Sequence, residues 1–136
     1  MQFANMDDVR SFFAGDEFAT KCLGAHIDGY DPETRTATVS MHIDDRHHNA
    51  QGFVMGGVLF SLADFALAVS SNIDQKPSAS TNHAIQFMSR VHGDVLVAVA
   101  HPDKEGRTLG FYTVDLFDGE KRHVARMTAT CMHGAS

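Results

Sequence analysis

Hydrophobic residues in this chain fall into patterns of different period, and each predicts a different element. Near the start, Val9, Phe12 and Phe13 recur at helical spacing. Asn5 precedes them as a cap and Gly15 follows as a stop, which predicts a short amphipathic helix. Residues 18–30 and 34–43 alternate more loosely and predict two strands joined by the turn Asp31-Pro32-Glu33, with Gly24 and Gly29 marking a bend or bulge. A polar loop then leads into residues 58–72, which are apolar on nearly every face. The length and Ala/Leu content of this segment select helix over strand, and a helix apolar all round is buried all round. Residues 78–91, 94–100, 107–117 and 123–132 read as four strands, and their short connections predict antiparallel hairpins. The order is two strands, one long helix, four strands. Only a sheet curled around that helix can bury it, so the class is α+β, as a single domain over residues 1–136.

Composition agrees and narrows the function. The 136 residues fold to about 7,000 Å² from about 21,000 Å², enough burial for a core without staples. Hydrophobic residues make up 43% and charged residues 21%, the balance of a soluble folded domain. Seventeen acids against eleven bases leave a net charge of −6, which argues against a nucleic-acid surface. No apolar run approaches the ~18 residues that span a bilayer, so no membrane partner is expected. The N-terminus has no basic start or apolar core of a signal peptide, and a reduced, cytoplasmic setting is expected. Cys22 and Cys131 are too few for a disulfide scaffold and read as buried hydrophobes. The nine histidines show no metal-site spacing, so no metal is expected.

One residue breaks the pattern of the long helix. Asp64 sits among Leu62, Ala63, Phe65 and Ala66, where an unpaired carboxylate costs several kcal/mol or protonates. At the start of the same helix, Gly56-Gly57 exposes backbone N–H groups with no side chain in the way, a place for a developing oxyanion. Asp64 lies about 10 Å further along the axis than Gly57. A base and an oxyanion donor must both reach one carbonyl within about 3 Å, and a rigid helix cannot bring its own start and middle together. If both act, they come from two chains whose helices run antiparallel about a two-fold axis. The expectation is a homodimer with two composite sites.

The run His47-His48-Asn49-Ala50-Gln51-Gly52-Phe53-Val54-Met55-Gly56-Gly57, with Asp64 seven residues on, resembles the signature of PaaI-type hot-dog-fold acyl-CoA thioesterases. That signature is His-x-Asn-x-x-Gly-x-x-His-Gly-Gly, six residues, then Asp. The resemblance implies a hot-dog fold, an antiparallel sheet wrapped around a central helix, and cofactor-free hydrolysis of an acyl-CoA or aryl-acyl-CoA. It implies Asp64 as general base or nucleophile and the Gly56 N–H as oxyanion donor. Asn49 matches a polar residue near substrate or water, His47 the opening His, and Ser80, beside Thr81, a water-positioning hydroxyl. Gly57, Met55, Thr81, Arg90 and Arg107 fall toward the substrate and CoA, with Phe60, Phe65 and Phe87 lining an acyl slot. The family's site is shared between protomers, in a dimer or a dimer of dimers. Met55 replaces the family's His before Gly-Gly, which predicts slower turnover or altered substrate preference. It also keeps open a non-hydrolytic acyl-CoA binder or sensor. A hot-dog hydratase is a third reading, without the Asp/His dyad at helix spacing that it needs.

Overall fold

The computed structural model describes residues 1–134. Helix α1 (Met6–Phe13) is capped as its sequence predicts, with Asn5 Oδ1 accepting the Asp8 N–H at 2.9 Å. Val9 and Phe13 are buried, while Phe12 stays half-exposed at the surface. Two strands follow, β1 (His26–Asp31) and β2 (Thr36–His42). Then come the long helix α2 (Gly56–Asn72) and four strands, β3 (Ser78–Phe87), β4 (Val95–Glu105), β5 (Leu109–Asp118) and β6 (His123–His133). All six strands form one antiparallel sheet in the order β1-β2-β4-β5-β6-β3. Among the described residues no helix is long and apolar enough to cross a membrane.

The sheet wraps α2, which packs mainly on β2, β4 and β5. Alternation does this work: Ala37, Val39 and Met41 of β2 and Leu96, Ala98 and Ala100 of β4 all point inward. Leu62 and Ala66 meet them from the helix, fully buried. Removing the Leu62 side chain should therefore leave a cavity. Leu62→Ala is expected to lose about 3 kcal/mol, read as a lowered midpoint in urea.

Several expectations need correction. Residues 18–23 are not strand but a π-helical turn, Phe18–Leu23, closed by Gly24 at φ 80°, where the Ala25 N–H donates to the Ala19 carbonyl. The helix formers Ala19, Lys21 and Leu23, with a left-handed glycine after them, explain this better than loose alternation. Cys22 is consequently exposed, not a buried hydrophobe, whereas Cys131 is buried as expected. The predicted bulge near Gly29 is present, as a register shift between Ile27 and Gly29.

The expectation of hairpins throughout fails at β3 and β4, which do not pair. Residues 88–94 carry the chain across to the other side of the sheet, and β3 pairs with β6 at its edge. Finally, α2 is not buried all round. Gly57, Phe60, Ser61, Asp64 and Ala68 form a stripe that this chain's own sheet leaves open. A single sheet closes around most of a helix but not all of it.

Candidate active site

The start of α2 is held by the loop before it. Asp44 caps a 3-10 turn, Asp45–His47, and the His47 ring Nδ1 accepts the Asp44 N–H at 2.9 Å. Bidentate contact with Arg46 holds the Asp44 carboxyl down, to about 2. The buried His47 then accepts the Met55 N–H on its carbonyl at 2.9 Å, which fixes where α2 begins. Asn49 closes the intervening turn, its Oδ1 accepting N–H groups from Gln51 (3.0 Å) and Phe53 (3.1 Å). Both residues thus build the loop that aims the helix.

At the helix start itself, Met55 offers no side-chain cap. The Val58 N–H finds the Met55 carbonyl, but the Gly56 and Gly57 N–H groups find no acceptor among the described residues. These are two free donors at the positive end of a helix dipole. Gly56 opens on a cleft of ≈ 460 Å³ that it lines with Phe53, Leu59, Phe87 and Arg90. A Cβ on Gly56 would sit 3.1 Å from the Phe87 ring, so glycine is what lets that ring approach the donors. The Arg90 guanidinium stacks over Phe53 at 3.9 Å, leaving its N–H groups for an anion.

Asp64 stands eight residues beyond Gly56, about 12 Å along the axis. It lines a cleft of ≈ 350 Å³ with Asp16, Phe18, Phe60, Phe65 and Ala68. A second cleft, ≈ 290 Å³, joins it to Ser71, Ser78, Ser80 and Cys131. Its side chain is 53% exposed in the single chain, a correction to the fully greasy setting expected from sequence. Even so, the aromatic and alanine surface around it pushes its carboxyl above the ordinary range, while His83 pulls it back. Asp16 is raised too, by burial and then by the Asp64 charge. The Cys131 thiol is pushed up to about 11 by burial, which makes it a poor nucleophile.

The structure brings Asp64 and Ser80 to one cleft and Gly56 and Arg90 to another. Thr81 is the extra residue of a β-bulge, its hydroxyl donating to the Thr130 carbonyl at 3.3 Å. Arg107 lies in the exposed β4–β5 turn, near the Ser78 end of β3, because the adjoining Thr108 carbonyl accepts from His133, the partner of Ser78. Arg90 follows the other end of that ten-residue strand, roughly 30 Å away along it. One chain does not unite them. Sequence reasoning missed Asp16 and His83, which were lost among the scattered acids and histidines.

Comparison with known proteins places this architecture. Residues 51–125 match the family model described as thioesterase superfamily. The chain is 30% identical over 106 residues to acyl-coenzyme A thioesterase PaaI of Escherichia coli, covering 77% of this chain and 74% of that protein. The solved structure of the E. coli PaaI protein superposes with a TM-score of 0.86 at 26% identity, covering 96% of this chain and 94% of the other. A candidate esterase of Deinococcus radiodurans is 40% identical over 86 residues, 63% of this chain. The chain spans 59% of that relative's length and 62% of an Archaeoglobus fulgidus relative's. The chain therefore belongs to the thioesterase superfamily, in its PaaI-type hot-dog branch.

Proposed function

We propose that this protein hydrolyses an acyl-CoA or aryl-acyl-CoA thioester to the free acid and CoA, in a homodimer with two composite sites. The observation that carries the reading is the pair of features on α2: unpartnered Gly56 and Gly57 N–H groups at its start, and a carboxylate two turns later on its open stripe. Kinship with the E. coli thioesterase supports the choice of substrate.

In this mechanism the Gly56 N–H of one protomer binds the thioester carbonyl oxygen. Asp64 of the other takes a proton from water as the water oxygen bonds to the carbonyl carbon. The tetrahedral oxyanion is held by the glycine amide, then collapses and breaks the C–S bond. The proton on Asp64 passes to the departing sulfur, leaving acid and thiol. Ser80, in the Asp64 cleft, is the hydroxyl available to orient the water. No cofactor is needed, because sulfur donates little into the carbonyl and the thioester is already reactive.

Two further features support the dimer. The stripe from Gly57 to Ala68 lacks cover in one chain, and β3 has a full unpaired edge beyond β6. A second copy adding antiparallel at that edge would set the Ser78 end of one β3 beside the Phe87 end of the other. It would also draw Arg107 toward the partner's Arg90, two cations for the CoA phosphates against a global charge of −6.

The exposed Met55 favours a second reading, binding or sensing without turnover, since a thioether cannot donate to a substrate as imidazole can. Free-thiol release across a panel of short, long and aromatic acyl-CoAs decides between them. Hydrolysis of one class is the expected result. Intact acyl-CoA after hours with stoichiometric protein would establish the binder instead.

A further inference from the structure

Strand β3 does not keep a simple alternation. Ser78 and Ser80 face the helix opposite His133 and the buried Cys131, and then Thr81 is inserted as a bulge between Ser80 and Asn82. The bulge shifts the phase by one residue. After it, the residues facing α2 are His83, Ile85 and Phe87, opposite the buried Ala129, Met127 and Ala125. Without the bulge His83 would face outward. With it, His83 Nε2 lies 3.5 Å from Asp64 Oδ1, and the imidazole packs on Phe60 at 5.1 Å between ring centroids. Its side chain is 15% exposed.

The other ring nitrogen orients the imidazole. His83 Nδ1 lies 3.2 Å from Met127 Sδ, so Nε2 is the ring nitrogen turned toward Asp64. An imidazolium in this position sets its positive charge against the Asp64 carboxylate. We infer that His83 and Asp64 form a dyad in which His83 is a positioning residue, holding Asp64 as the carboxylate that the proposed hydrolysis requires.

The other groups around Asp64 make this contact necessary. Asp16 and Glu17, from the segment before the π-helical turn, line the same cleft with negative charge. Cys131 from β6 lines the second cleft and is held as the neutral thiol. Phe60, Phe65 and Ala68 from α2 and Phe18 supply apolar surface. The apolar cover disfavours an ionised Asp64, and the neutral Cys131 brings no cation to offset it. Among the described residues, His83 is the group that offsets that burial and lowers the Asp64 carboxyl.

The inference rests on the hydrolytic reading of Asp64, and its test separates the two. His83→Phe keeps a ring against Phe60 but deletes the imidazole nitrogen that faces Asp64, and His83→Lys keeps a cation. An opposite charge at this range lowers a carboxylate pKa by about 1–3 units. The acid limb of kcat/KM should therefore move up by about one unit or more in His83→Phe, lowering activity roughly tenfold or more on that limb. Activity should recover at higher pH, and the His83→Lys limb should return toward wild type. An unshifted limb in His83→Phe overturns the dyad while leaving Asp64 as the base. If His83→Phe does not fold, or wild type releases no thiol, the Asp64 carboxyl carbon is titrated by NMR in the wild-type protein. A two-step curve coupled to the His83 ring signals supports the dyad, and a single independent step overturns it.

Discussion

Asp64→Asn should lower thiol release from acyl-CoA by about 10²–10⁴-fold, the range expected when a positioned general base is removed. The fold should survive. Asn has nearly the same shape, and the side chain it replaces is half-exposed in one chain, with His83 as its ion partner at 3.5 Å. Linkage sharpens the expectation. The Asp64 carboxyl is raised in the folded chain, so the native state holds its proton more tightly than the unfolded state does. The contribution of Asp64 to stability therefore declines as pH rises from its ordinary value of 3.8 through the raised one. Above that window the ionised carboxylate is a liability, and Asp64→Asn should melt at the same temperature or higher at neutral pH. An inactive variant at least as stable as wild type marks a residue kept for chemistry rather than packing. Turnover within a few-fold of wild type would remove Asp64 from the mechanism.

The sequence shows most of this fold because its long elements are strongly patterned. The apolar run behind Gly56-Gly57 reads as α2 to within two residues of its observed start, and its end at Asn72 is as expected. The four later strands are legible as well, since turn residues punctuate them, but β3 stops at Phe87, short of the expected 91, and β4 runs on to Glu105, past the expected 100. What stays hidden are features set by tertiary register. The π-helical turn Phe18–Leu23 has too few residues for a periodic signal to settle. The pairing of β3 with β6 is a choice between sheet edges that short loops do not dictate. The bulge at Thr81 is a single inserted residue, yet it decides whether His83 or Asn82 faces the helix. In the candidate site, Asp64 and the glycine pair are visible as violations of pattern, a carboxylate in an apolar segment and two glycines at a helix start. His83 violates nothing in sequence, being one of nine histidines, and only the register of β3 on α2 reveals it.

The composite site can be tested without disturbing the helix that carries it. Gly56 is the first residue of α2, a position where proline is tolerated because its N–H has no intrahelical partner. Met55 before it already has φ −65° and ψ 139°, the extended conformation a following proline requires. The added ring atoms would press on the ring of Phe87, a flexible side chain on a residue 55% exposed to solvent. Gly56→Pro should thus delete the oxyanion donor while keeping the helix, and lower kcat by about 10²–10³-fold. The informative experiment mixes this variant with Asp64→Asn after dissociation and reassociation of the chains. If each site takes Gly56 from one chain and Asp64 from the other, a mixed dimer gathers both defects in one site and leaves its second site intact. Random pairing of equal amounts makes about half of the dimers mixed, so about a quarter of wild-type activity should return. If each chain served its own site, every site in the mixture would carry one defect and nothing would return. The spacing along α2 permits only the first outcome for this mechanism, because about 12 Å of rigid helix separates the two groups within a chain.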